Sequence, residues 1–108
     1  MSASDSARGI TYEVSLRIDA AVADAYRTWL AAHVQEILAL PGVIDARINE
    51  VIDPAAAAGE VALCVQYRLV DETALNAYLH EHAPRMRGQG VQRFAGRFRA
   101  ERRVLRDL

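Results

Sequence analysis

From residue 10 to residue 18 apolar and polar positions alternate: Ile10, Tyr12, Val14, Leu16 and Ile18 fall on one side, Thr11, Glu13, Ser15 and Arg17 on the other. A two-residue period is that of a half-buried strand. Asp19 then offers a helix N-cap acceptor, and the spacing changes to three and four. Val22, Tyr26, Trp29, Leu30, His33, Ile37 and Leu40 form the stripe of an amphipathic helix, which Pro41-Gly42 stops. Val43 to Ile52 alternates again, with Ile44, Ala46, Ile48 and Ile52 opposite Asp45, Arg47 and Asn49. Between Asp53 and Glu60, Pro54 and Gly59 bracket too few alanines for a helix, so a loop is expected. Glu60 to Val70 is a strand whose apolar side is Val61, Leu63, Val65, Tyr67 and Leu69. Asp71 repeats the N-cap signal, and Leu75, Tyr78, Leu79, His82 and Met86 make a second helical stripe. Pro84 predicts a kink there and Gly88-Gln89-Gly90 a turn. Phe94 to Leu105 reads as a fourth strand, with Phe98, Ala100 and Val104 opposite Arg97, Arg99, Glu101 and Arg103.

This order, β-α-β-β-α-β, predicts an α+β ferredoxin-like sandwich: a four-stranded antiparallel sheet with two helices on one face. The 108 residues suit a single domain, expected over residues 10–106 after a flexible tail at 1–9. The other sheet face carries Glu13, Arg17, Arg47, Gln66 and Arg68. Left uncovered, it predicts a wet homodimer interface. No apolar run approaches the roughly 20 residues needed to cross a bilayer, and the N-terminus lacks the apolar stretch of a signal peptide. The lone cysteine, Cys64, excludes an intrachain disulfide and fits a reducing cytoplasm.

Charge changes the picture at one end. All 13 basic residues are arginine, and residues 85–108 hold eight of them against two acids. Such a block fits either an anion or nucleic-acid surface or a strand whose exposed arginines pair with acids elsewhere. The third strand lacks the basic-Gly-aromatic run and open-face aromatics of an RNA-recognition sheet, which argues against nucleic acid.

Candidate chemistry centres on the inward stripes. His33, one turn beyond Trp29, is the candidate acid/base. His80 and His82 point about 200° apart on a helix and cannot share a metal; the stripe turns His82 inward. No metal site and no cofactor are expected. Four tyrosine hydroxyls in so small a core need partners or water, which predicts a polar-edged cavity between helices and sheet. Cys64, in mid-strand without a base, reads as a packed thiol.

Trp29-x-x-x-His33-Val-x-Glu-Ile-Leu38, Gln66-Tyr67, Tyr78-Leu79, Ala83-Pro84-Arg-Met-Arg87 and Arg93-Phe94-x-x-x-Phe98-x-Ala100-x-Arg102-x-Val104-Leu105 follow in order. Together they resemble an uncharacterised bacterial family, domain of unknown function 4286, over residues 10–106. The resemblance implies a dimeric α/β-barrel type of ferredoxin-like fold and no established activity.

Two functional readings follow. In the first, a cytoplasmic homodimer binds a small anionic or aromatic molecule between helices and sheet. Trp29, Tyr67, His82 and Arg102 are its ligand contacts, and His33 is the catalytic residue if the protein is an enzyme. The alternative is a regulatory or protein-interaction module that uses the sheet face or the arginine-rich last strand.

Overall fold

The computed structural model describes residues 9–108; apart from Gly9, the tail expected at 1–9 lies outside the described residues. Strand β1 (Ile10–Asp19) is the axis of the sheet. It pairs antiparallel with β3 (Glu60–Leu69) on one side and with β4 (Phe98–Arg106) on the other. Strand β2 (Val43–Glu50) lies outside β3, which gives the order β2-β3-β1-β4. The even-numbered residues of β1 and the odd-numbered residues of β3 meet in one core with the helices. Ile10, Ile18, Val65 and Leu69 are its most completely buried side chains.

Helix starts follow their caps. Asp19 Oδ1 accepts from the Ala21 amide at 2.9 Å and opens a single 3-10 turn, from which α1 (Ala23–Leu38) continues. Asp71 Oδ1 accepts from the Ala74 amide at 2.9 Å and opens α2 (Glu72–Glu81).

The second crossover departs from expectation, because it is two helices rather than one. The chain leaves α2 at His82 and re-enters a helix, α3 (Ala83–Phe94), with Pro84 in its first turn. Proline is tolerated there, where its missing N–H would have no partner anyway. Gly88-Gln89-Gly90, expected as a turn, lies inside α3. Each interior glycine costs about 1 kcal/mol of helix propensity. Burial overrides that cost: Ala83, Met86, Gly90 and Phe94 form a helical stripe pressed on the core. Phe94 therefore ends a helix, and the last strand begins only at Phe98.

Strand β2 differs in one detail. A bulge between Val43 and Asp45 adds Ile44 to the strand without a partner residue. Ile44 is consequently 60% exposed instead of facing the core, and Ile52, beyond the strand, is 83% exposed.

The outer sheet face is polar, with an ordered centre. Glu13, only 7% exposed, accepts from Arg103 Nε at 2.6 Å and from Gln66 Nε2 at 3.0 Å. These bonds, that from Arg103 foremost, hold its carboxyl below the usual range. Half of the arginine block is spent on ion pairs: Arg97 with Asp19, Arg99 with Glu60, Arg103 with Glu13 and Arg106 with Glu72.

The α1–β2 turn gives a direct test of the packing. Gly42 sits at φ +81°, and a Cβ there would lie 2.5 Å from Ala74 Cβ at the start of α2. Left-handed geometry and overpacking together lead us to expect Gly42→Ala to lose about 2–4 kcal/mol in urea unfolding. A loss under about 0.5 kcal/mol, the range of an ordinary surface substitution, would contradict this packing.

Candidate functional site

Between the helices and the β1–β4 half of the sheet lies a cavity of about 420 Å³. Tyr12, Val14 and Leu16 of β1, Tyr67 of β3 and Ala100 and Arg102 of β4 form its floor. Tyr26, Trp29 and His33 of α1, Tyr78 of α2, and Met86, Arg87 and Gly90 of α3 form its roof. The alternation of the strands and the three-four spacing of the helices aim all of these side chains at one space.

Its walls set a group of aromatic rings among aliphatic side chains. Tyr26 packs on Phe94 and Phe98 at centroid distances of 4.9 and 5.3 Å, and the Trp29 indole stacks on the His33 imidazole at 4.5 Å and 22°. Tyr12 lies 5.7 Å from Tyr78 and 6.2 Å from Tyr67. Burial pushes the Tyr26 and Tyr78 phenols up to about 12, and Tyr67 higher still. These phenols stay neutral and keep their protons to donate. Among the described residues only Tyr12 has a hydroxyl partner, accepting from Arg87 Nη2 at 2.9 Å. The other three hydroxyls are not sealed in protein, so they open on the cavity.

His33 is held from α3. Its Nδ1 lies 3.1 Å from Gln89 Oε1. A carboxamide oxygen only accepts, so Nδ1 carries the hydrogen and Nε2 keeps the lone pair. Burial pushes the imidazole below its ordinary 6.5, against smaller opposing effects from Gln89 and Glu36. A neutral ring with one free lone pair can accept a proton or a hydrogen bond.

The electrostatic asymmetry of the cavity is pronounced. Two guanidiniums, of Arg87 and Arg102, line it, and no aspartate or glutamate does. Within residues 85–108, Arg85 is bonded to His82, Arg87 to Tyr12, and Arg93 lies over the Phe94 ring. With the four paired to acids, that leaves Arg102 as the one arginine of the stretch without a partner among the described residues.

Of the residues singled out from sequence, Trp29, His33, Tyr67 and Arg102 meet around this cavity. His82 stands apart at the α2–α3 junction, where Arg85 Nη2 donates to its Nδ1 at 3.0 Å and its ring lies 6.5 Å from that of Tyr78. Sequence alone does not single out Arg87 or Gln89: the expected helical stripe ends at Met86, just before Arg87, and Gln89 falls in the expected Gly88-Gln89-Gly90 turn. The signal was present in the spacing of Ala83, Met86, Gly90 and Phe94. Cys64 lies on the outer sheet face, its thiol pushed up by burial, which suits an unreactive role. Among the described residues no three His, Cys, Asp or Glu side chains are grouped to hold a metal, and no helix is long and apolar enough to cross a membrane.

The depressed His33 pKa has a stability consequence. The folded state binds fewer protons than the unfolded chain between the folded value and 6.5, so stability falls as pH drops from 6.5 through the folded value. We expect the His33 ring resonances to titrate below 6.5 by NMR, and His33→Gln to reduce the acid-side loss of stability. A His33 midpoint at or above 6.5 would contradict the buried placement.

Comparison with known proteins places this geometry. A conserved protein from Methanosarcina mazei Go1 superposes with a TM-score of 0.70 at 13% identity, over 98% of this chain and 99% of that one. A dimeric ferredoxin-like protein of unknown function from Thermobifida fusca YX gives 0.59 at 20%, over 93% and 90%. HapK from Hahella chejuensis gives 0.57 at 22%, over 94% and 92%. At these identities the likeness is one of fold, and that fold is ferredoxin-like. No curated protein matches the chain. The family model described as domain of unknown function (DUF4286) matches residues 9–108, nearly the whole length, and the chain belongs to that family.

Proposed function

We propose that this protein binds a small, planar organic anion in the cavity between its helices and sheet, and that it does so as a cytoplasmic homodimer joined through the outer sheet face. The observation that carries this reading is the pairing of an aromatic cavity with two lining guanidiniums and no lining carboxylate. Ligand sites are concave, mostly apolar and furnished with a few convergent polar groups, and this cavity has that make-up. Arg102, unpaired at its edge, takes the negative group. Trp29 and Tyr67 contact the body of the ligand, and the free phenols donate to its oxygens. His82 supports the site from behind Tyr78. His33 supplies an acid/base if the bound molecule reacts.

The dimer draws support from the outer face, whose centre, a buried Glu13 held by the exposed Arg103 and by Gln66, is the kind of ordered polar patch that suits a wet interface. Two structures of similar fold, from Thermobifida fusca YX and an uncultured marine organism, are described as dimeric ferredoxin-like proteins. The lone cysteine, Cys64, suits a reducing compartment.

Native mass spectrometry of the purified protein tests both parts. We expect twice the 11.9 kDa chain mass together with a retained small molecule. Arg102→Leu should weaken that retention by about 10–100-fold, the worth of one hydrogen bond to a charged group. A monomer at micromolar concentration removes the dimer. A protein that carries no ligand and is not stabilised by any of a panel of aromatic carboxylates removes the binding site.

A further inference from the structure

The cavity holds two proton-active groups whose second valences are occupied in opposite senses. His33 gives its Nδ1 hydrogen to Gln89 Oε1 at 3.1 Å, which leaves Nε2 able only to accept. Tyr12 receives a hydrogen bond from Arg87 Nη2 at 2.9 Å. A phenol oxygen accepting from a guanidinium has its own O–H free to donate, polarised by the adjacent positive charge. Tyr12 is 4% exposed, and among the described residues nothing accepts that proton. Both orienting groups, Arg87 and Gln89, come from a single turn of α3. One segment therefore arms a base and an acid that line the same space.

We propose that this pair catalyses proton transfer at a carbon next to a carbonyl, with aryl-substituted 2-oxo acids as the substrate class. The proposal rests on the anion-binding reading given above. Arg102 holds the carboxylate, and the Trp29–Phe98 side of the cavity takes the ring. His33 Nε2 removes the proton from the carbon beside the ketone, and that C–H electron pair becomes the new C=C bond. The carbonyl π pair moves onto oxygen, where the Tyr12 hydroxyl and the Arg87 charge stabilise it. Tyr12 delivers its proton to that oxygen and is reprotonated from solvent, while His33 returns its own proton to solvent. The net change is ketone to enol, with no oxidant or reductant, and the reverse path restores the ketone. A base and an oxyanion donor in fixed positions each contribute typically about 10²–10⁴-fold.

Phenylpyruvate is the probe, and the readout is loss of its methylene proton signal in D₂O. Calorimetry measures its binding separately, and circular dichroism confirms that each variant folds. We expect the full protein to accelerate exchange at least about 100-fold over buffer. His33→Asn should abolish that acceleration while phenylpyruvate still binds, and Tyr12→Phe should cut it about tenfold or more. Gln89→Leu should slow exchange and move the ¹⁵N shifts of His33 away from the Nδ1–H tautomer, a change that loss of packing alone does not produce. Binding without accelerated exchange overturns the proposal and leaves the binding reading intact, as does acceleration that survives His33→Asn. Absence of phenylpyruvate binding overturns the proposal, and the binding reading falls with it only when the whole panel of aromatic carboxylates also fails to bind.

Discussion

The seat of α3 against Trp29 is the contact on which the site depends. A Cβ on Gly90 would come 3.1 Å from Trp29 Cη2, tighter than side chains ordinarily pack, and 3.5 Å from Phe98 Cζ, an ordinary contact. Glycine lets the helix settle there without displacing the Trp29 ring. With α3 in that position, Met86 and Phe94 bury on the core, Arg87 reaches Tyr12, and Gln89 reaches His33. The propensity lost to glycine in mid-helix is offset by apolar burial. A small core that spends stability in this way gains a roof of defined shape over the sheet. Both hydrogen bonds that orient the proton-active groups depend on that roof.

Beneath it, the energetics favour an occupant. Phenol hydroxyls without protein partners stay solvated only through the cavity, and burial keeps their protons on. Two guanidiniums without a lining carboxylate leave a positive field at the mouth of a cavity lined by aromatic and aliphatic side chains. Four of the other seven arginines of the C-terminal stretch are neutralised by acids on β1, β3 and α2, so this imbalance is local. The chain's overall charge of -1 conceals it. An aromatic anion complements every feature of the cavity at once: flat faces for the rings, acceptors for the phenols and charge for Arg102.

Much of this was legible in the sequence, for physical reasons that differ by element. Strands β1 and β3 are half-buried along their whole length, so alternation alone gave their inward faces, Tyr12 and Tyr67 included. Helix α1 has one apolar stripe and clear caps, which placed Trp29 and His33. Arg102 follows from the alternation of β4, since it falls with Phe98 and Ala100. What was hidden was hidden by local preference. Glycine disfavours helix, so Gly88-Gln89-Gly90 reads as a turn until the packing of Trp29 is known; that hides Gln89 and leaves Arg87 beyond the last position of the apolar stripe, Met86. The bulge at Ile44 was equally silent, because an inserted residue in a short edge strand leaves the sequence pattern intact. His82 shared the apolar stripe, yet the chain breaks at that residue and carries its ring away from the cavity.

The central claim is that the cavity selects for negative charge on an aromatic body. Calorimetry with 3-phenylpropanoate and with the neutral amide of the same shape, 3-phenylpropanamide, tests it most directly. The account predicts that the anion binds at least about tenfold more tightly, as one charge-assisted contact implies, and that Arg102→Leu removes the preference. Equal affinity for the two, or tighter binding of the amide, would contradict it.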